Sequence, residues 1–130
     1  MESTAQICLS SRDAELRFDW LGFDGDDCFR EFSVTYRSGA DEQRFEFGPC
    51  AVRGLRKLSC FFSDPAQESA GMGFRNPDIR YCDISREAGG YRVVVRYDGN
   101  GLHEEFLLGS PSLHMENKFL KDYYGDDDEG

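Results

Sequence analysis

Leu16-Arg17-Phe18-Asp19-Trp20 and Phe32-Ser33-Val34-Thr35-Tyr36 decide the reading of the fold. In both segments apolar and polar residues alternate, the period-2 pattern of a strand with one buried and one wet face. Between them, Gly22-Phe23-Asp24-Gly25-Asp26-Asp27 has the composition of a turn. Ser38-Gly39-Ala40-Asp41 has hairpin length and leads to Phe45-Glu46-Phe47, which alternates again. Upstream, residues 5–10 form a short apolar stretch that reads as a first strand. The opening third is therefore expected to be an antiparallel meander.

The period changes at Gly48-Pro49. Val52, Leu55, Leu58 and Phe62 recur every three to four residues, while Arg53, Arg56 and Lys57 share another face. This predicts an amphipathic helix of about three turns, stopped by Asp64-Pro65. Gly54 weakens it by roughly 1 kcal/mol, and the basic stripe reads as a solvated face. Residues 66–73 are small and polar, with Gly71 and Gly73 close together, and are expected as a loop. Strands resume over residues 79–84, 91–97 and 102–108. The run Val93-Val94-Val95 is apolar on both faces and belongs in a sheet interior. Ser110-Pro111 has the chemistry of an N-cap and first helical position. Leu113, Glu116, Phe119 and Leu120 then predict a closing helix that ends near Tyr123-Tyr124. The order of strands, helix, strands and helix predicts an α+β fold, an antiparallel sheet with two helices packed on one face. One domain is expected over residues 1–124, with 125–130 as an acidic disordered tail.

Composition narrows the function. The 130 residues suffice for one domain, and 39% hydrophobic with 14% aromatic content supports a core rather than disorder. With 25 acidic against 15 basic residues the net charge is −10, which excludes binding to a nucleic-acid backbone through a basic surface. Asp126, Asp127, Asp128 and Glu129 carry part of that charge, and the rest of the chain stays acidic without them. No window is apolar for long enough to span a membrane as a helix. Met1-Glu2-Ser3-Thr4 has neither the basic nor the apolar region of a signal peptide, so a cytoplasmic location is expected. Cys8, Cys28, Cys50, Cys60 and Cys82 are an odd set with no close pair, which points to reduced thiols rather than disulfides or zinc.

Motifs for catalysis or cofactors do not assemble. Counted from Asp24, the fifth, sixth and twelfth positions of a calcium loop hold Cys28, Phe29 and Thr35, and the pattern fails. Neither phosphate-loop nor nucleophile-elbow glycine patterns occur, and Pro77 opposes a helix after Gly71 and Gly73. His103 falls in an expected strand and His114 in the expected last helix. Either would need a cysteine or carboxylate partner in a cleft to serve catalysis. No catalytic residue, metal site or cofactor is therefore assigned. Phe23, Phe29, Phe74, Tyr123 and Tyr124 lie at expected turns or ends, where aromatics among carboxylates suit a protein interface. Asp24, Asp26, Asp27, Glu31, Tyr123 and Tyr124 are the candidate partner contacts. The alternative is a small-ligand site or enzyme with a pocket between sheet and helices.

Three features together resemble the WapI-like family of bacterial immunity proteins, which neutralise polymorphic toxins delivered between cells. The first is the meander that runs through Gly48-Pro49-Cys50 into a helix bearing Leu55 and Leu58. The second is Phe74-Arg75-Asn76-Pro77-Asp78-Ile79, similar to a Phe-x-x-Pro-x-apolar segment of that family, though with Arg75 where an acidic residue is common. The third is the 91–97 strand followed by another strand and a closing helix. The resemblance spans residues 16–124. It implies a non-enzymatic, cytoplasmic inhibitor, a monomer or weak homodimer, that binds a cognate toxin domain such as a basic nuclease. Opposite charge would speed that encounter.

Overall fold

The computed structural model describes residues 3–23, 28–74, 80–87, 89–96, 103–109 and 111–116. They form β1 (Ser3–Ser10), β2 (Ala14–Phe23), β3 (Cys28–Ser38), β4 (Asp41–Ala51), α1 (Val52–Ser63), β5 (Ser69–Phe74), β6 (Arg80–Glu87), β7 (Gly90–Arg96), β8 (His103–Gly109) and β9 (Ser112–Glu116). All the described pairings are antiparallel. One sheet has the order β4-β3-β2-β1-β9, the other β5-β6-β7-β8.

This corrects the expected α+β fold with an antiparallel sheet and two helices packed on one face. The described residues hold two sheets and one helix. The segment from Ser112 is a strand because Leu113 and Met115 stand opposite Leu9 and Ile7 on β1. Their two-residue spacing matched a neighbouring strand, and that pairing overrode the Ser110-Pro111 helix signal. Of the expected loop 66–73, residues 69–73 together with Phe74 form a strand that pairs along its whole length with β6. Gly48-Pro49 does not end the meander either. The β3–β4 register shifts twice around it, which absorbs the positive φ of Gly48 (93°) and lets β4 continue to Ala51.

The inner face of the first sheet is apolar from strand to strand. Leu9 faces Leu16, Ile7 faces Phe18, and Ala5 faces Trp20. Phe18 in turn faces Val34, and Trp20 faces Phe32. Trp20, Phe18, Phe29, Phe32 and Phe61 are completely buried. Phe106 of β8 bridges the sheets, stacked on Tyr36 at 4.3 Å and tilted against Phe45 at 6.1 Å. These rings fill the space between the sheets.

Helix α1 follows β4 directly and turns Val52, Gly54, Leu55, Leu58 and Phe61 inward. Arg53, Arg56 and Lys57 are exposed. At Gly54 the helix packs against Met72 of the second sheet. A Cβ there would lie 2.6 Å from Met72 Sδ and 3.0 Å from Cys50 Sγ, so the helix penalty of glycine is tolerated for close packing. The C-terminal end of α1 has no basic residue of its own in its last turn. Arg86 of β6 supplies one, donating to the carbonyls of Phe61 (2.5 Å), Asp64 (3.0 Å) and Gln67 (2.8 Å). Its guanidinium also lies 4.5 Å from the Phe61 ring centre and 5.7 Å from that of Tyr91. One cation thus neutralises the negative end of the helix and ties it to the second sheet. No helix among the described residues is long and apolar enough to cross a membrane.

Candidate functional site

Side chains alternate along strands, so the apolar inner face of the first sheet dictates a polar outer one. Three rows cross it. One runs through Gln6, Asp19, Ser33 and Glu46. The next runs through His114, Cys8, Arg17, Thr35 and Arg44, and the third through Ser112, Ser10, Glu15, Arg37 and Glu42. The first row is negative and the second positive, the third alternates, and charges of opposite sign bind one another. Asp19, 4% exposed, accepts from Gln6 Nε2 at 2.8 Å and Arg17 Nε at 2.9 Å. Glu15 accepts from Cys8 Sγ at 3.1 Å and from Arg37 Nη2 at 2.7 Å. Arg44 Nε meets Glu46 Oε2 at 2.9 Å. Ser33 and Thr35 are buried beneath these longer side chains. The result is a polar face on which carboxylates and guanidinium groups are paired.

The electrostatics follow from those contacts. The hydrogen bond from the Cys8 thiol, then the nearby Arg37 cation, hold the Glu15 carboxyl below its ordinary value. Burial, reinforced by Glu15, raises the Cys8 thiol, so this cysteine is a hydrogen-bond donor rather than an activated nucleophile. Burial pushes Cys50 up to about 12 and raises Cys82 further still. Cys60 is exposed and Cys28 half-buried, and all five thiols are free. Among the described residues no group of three or more His, Cys, Asp or Glu side chains has metal-binding geometry.

Of the candidate contacts, Asp24, Asp26, Asp27, Tyr123 and Tyr124 lie outside the described residues. Glu31 is half-buried at the β3–β4 irregularity, where its Oε2 accepts from the Gly48 N–H at 3.4 Å. That contact supports the fold at the bulge. Phe29, expected at the surface, is completely buried and packs against half-buried Phe23 at 5.8 Å. His114 stands directly opposite Cys8, but on the open outer face and exposed, not in a cleft. His103 opens β8 opposite Arg96. The charge rows were missed in the sequence because Gln6, Asp19, Ser33 and Glu46 are far apart in the chain. Only strand register makes them neighbours.

Three depressions on the described surface are open to solvent. One, about 510 Å³, lies on the outer face of the second sheet against Gly71, Tyr81, Asp83 and Arg92. A second, about 360 Å³, lies between α1 and β5 against Arg53, Gly54, Lys57, Met72 and Gly73. A third, about 270 Å³, lies by Arg86 and Tyr91. Small-molecule sites are concave and largely apolar, whereas paired surface charges suit the polar rim of a macromolecular contact. The chain matches no model of a known protein family, no curated protein and no solved structure.

Proposed function

We propose that this chain is a non-enzymatic protein-binding module of the toxin-immunity type, acting in the cytoplasm on a basic toxin domain. The observation that carries the reading is the outer face of the first sheet, where Glu15 and Glu46 are held by Arg37 and Arg44 on a chain of net charge −10. Side chains already held in place lose little freedom on docking, and opposite charge accelerates encounter. The motif resemblance supplies the immunity assignment.

The test is co-purification with the toxic domain encoded beside this chain, together with protection of cells that express that domain. A stable complex whose association slows as salt rises is expected, because surface charges are screened. Failure both to bind and to protect would remove the reading. Reversing the exposed Glu46 and the part-exposed Glu15 to lysine one at a time should slow association, which locates the contact face.

A further inference from the structure

We propose that the open edge of β5 accepts an extended, acidic segment of a partner protein as an added strand. β5 is the edge of the second sheet, paired with β6 and, among the described residues, with no other strand. The ladder shows which of its backbone groups face outward. Arg86 N–H bonds to Glu68 O at 3.0 Å in the register that β5 and β6 continue without a shift. In an antiparallel pair hydrogen-bonded residues alternate, so Ala70, Met72 and Phe74 bond to β6, and Ser69, Gly71 and Gly73 point their N–H and C=O groups away from it. The Ser69 carbonyl fits this assignment, since it accepts the Gln67 side-chain amide at 3.2 Å. Gly71 and Gly73 remain as four backbone groups available to an incoming strand.

The flanks of that edge also suit a strand. Alternate side chains of an added strand point to opposite faces. On one side they meet the 360 Å³ depression walled by α1, and on the other the 510 Å³ depression beside Asp83. The α1 side is cationic. Arg53 and Lys57 line it, both exposed, and among the described residues neither has an ion-pair partner. The first turn of α1 has no acidic residue and its N-cap, Ala51, has no side-chain hydrogen bond. On an acidic chain this groove is a local reversal of sign, and its complement is an acidic peptide. Edge strands are commonly guarded by charge or proline. β4 shows that guard, with Glu42, Arg44, Glu46 and Pro49, whereas the outward residues of β5 are a serine and two glycines.

This surface is independent of the toxin-binding reading, which uses the opposite sheet and the opposite charge. The test is titration of the full-length, isotope-labelled chain with an acetylated eight-residue peptide alternating glutamate and valine, against its lysine-valine counterpart. Binding of the acidic peptide alone is expected, with the amide signals of Gly71 and Gly73 shifted and protected from exchange. Gly73→Pro removes an outward N–H and no ladder bond, so it should leave the melting temperature unchanged and abolish binding. Arg53→Glu with Lys57→Glu should weaken it about tenfold or more. Equal binding of both peptides, unchanged affinity in Gly73→Pro, or shifts confined to other strands would overturn the proposal. A concentration-dependent dimer abolished by Gly73→Pro would assign the edge to a second copy instead. Binding seen only after Asp126, Asp127, Asp128 and Glu129 are changed to amides would assign it to the chain's own carboxylates. Either result overturns the partner-peptide assignment.

Discussion

The two sheets are stabilised in different ways. The first has strands of eight to eleven residues over β1 to β4, paired in sequence order, with rings on one face and interlocked charges on the other. Its stability is spread over many contacts between neighbouring strands. The second has shorter strands, and its β5 edge presents bare glycines. It shares the core with the first sheet through Ile84, Val93, Val95, Phe106 and Leu108, and its β5–β6 side is tied to α1 by Met72 against Gly54 and by the Arg86 guanidinium. A sheet with little side-chain mass at its edge must be held by what packs on it, and that edge is left accessible.

Substitutions can break this contrast in order of expected effect. Trp20→Ala removes a completely buried ring from the inner face of the first sheet and should cost about 3–5 kcal/mol, read as a fall in the denaturation midpoint of the whole chain. Arg86→Met retains much of the apolar stem but strands three carbonyls, and should cost about 2–3 kcal/mol. Amide exchange should then rise first in α1, β5 and β6 while β2 and β3 stay protected. Uniform exchange across both sheets would show that the contrast is not real.

Gly54→Ala sets better helix propensity against overlap with Met72 Sδ, and should cost about 1 kcal/mol net. Combining it with Met72→Ala should cost less than the sum of the two single changes, measured as a double-mutant cycle. The smallest effect concerns the charge rows. Glu15 has its carboxyl held below the ordinary 4.5, so its ionised form contributes stability above that pH. The contribution is lost as pH falls through the lowered folded value. The difference in midpoint between the native chain and Glu15→Gln, a few tenths of a kcal/mol for a partly exposed pair, should be full at about pH 7 and vanish toward about pH 3.

How legible each element was follows from how it buries side chains. β2 and β3 alternate over most of their length, and their inner residues proved to be the core. α1 was readable because Val52, Leu55 and Leu58 keep helical spacing with cations opposite. β5 was not, because Ser69-Ala70-Gly71-Met72-Gly73 commits one large apolar residue to the core, and two glycines mimic a loop. β9 was misread because Leu113, Phe119 and Leu120 satisfy a helical spacing while Leu113 and Met115 satisfy a strand spacing. Of the candidate contacts, Glu31 was legible as a carboxylate near a turn but not as a support for the Gly48 bulge.

The sequence by itself determined the local period of the meander, the amphipathic helix and the acidic charge, because these depend on residues close together in the chain. Tertiary structure decided the second sheet, the strand state of 69–74 and 112–116, the charge rows and the bare edge of β5. Each of these is a pairing between segments distant in the chain. Register between such segments is set by which neighbour can cover an apolar face, and no local pattern carries that information.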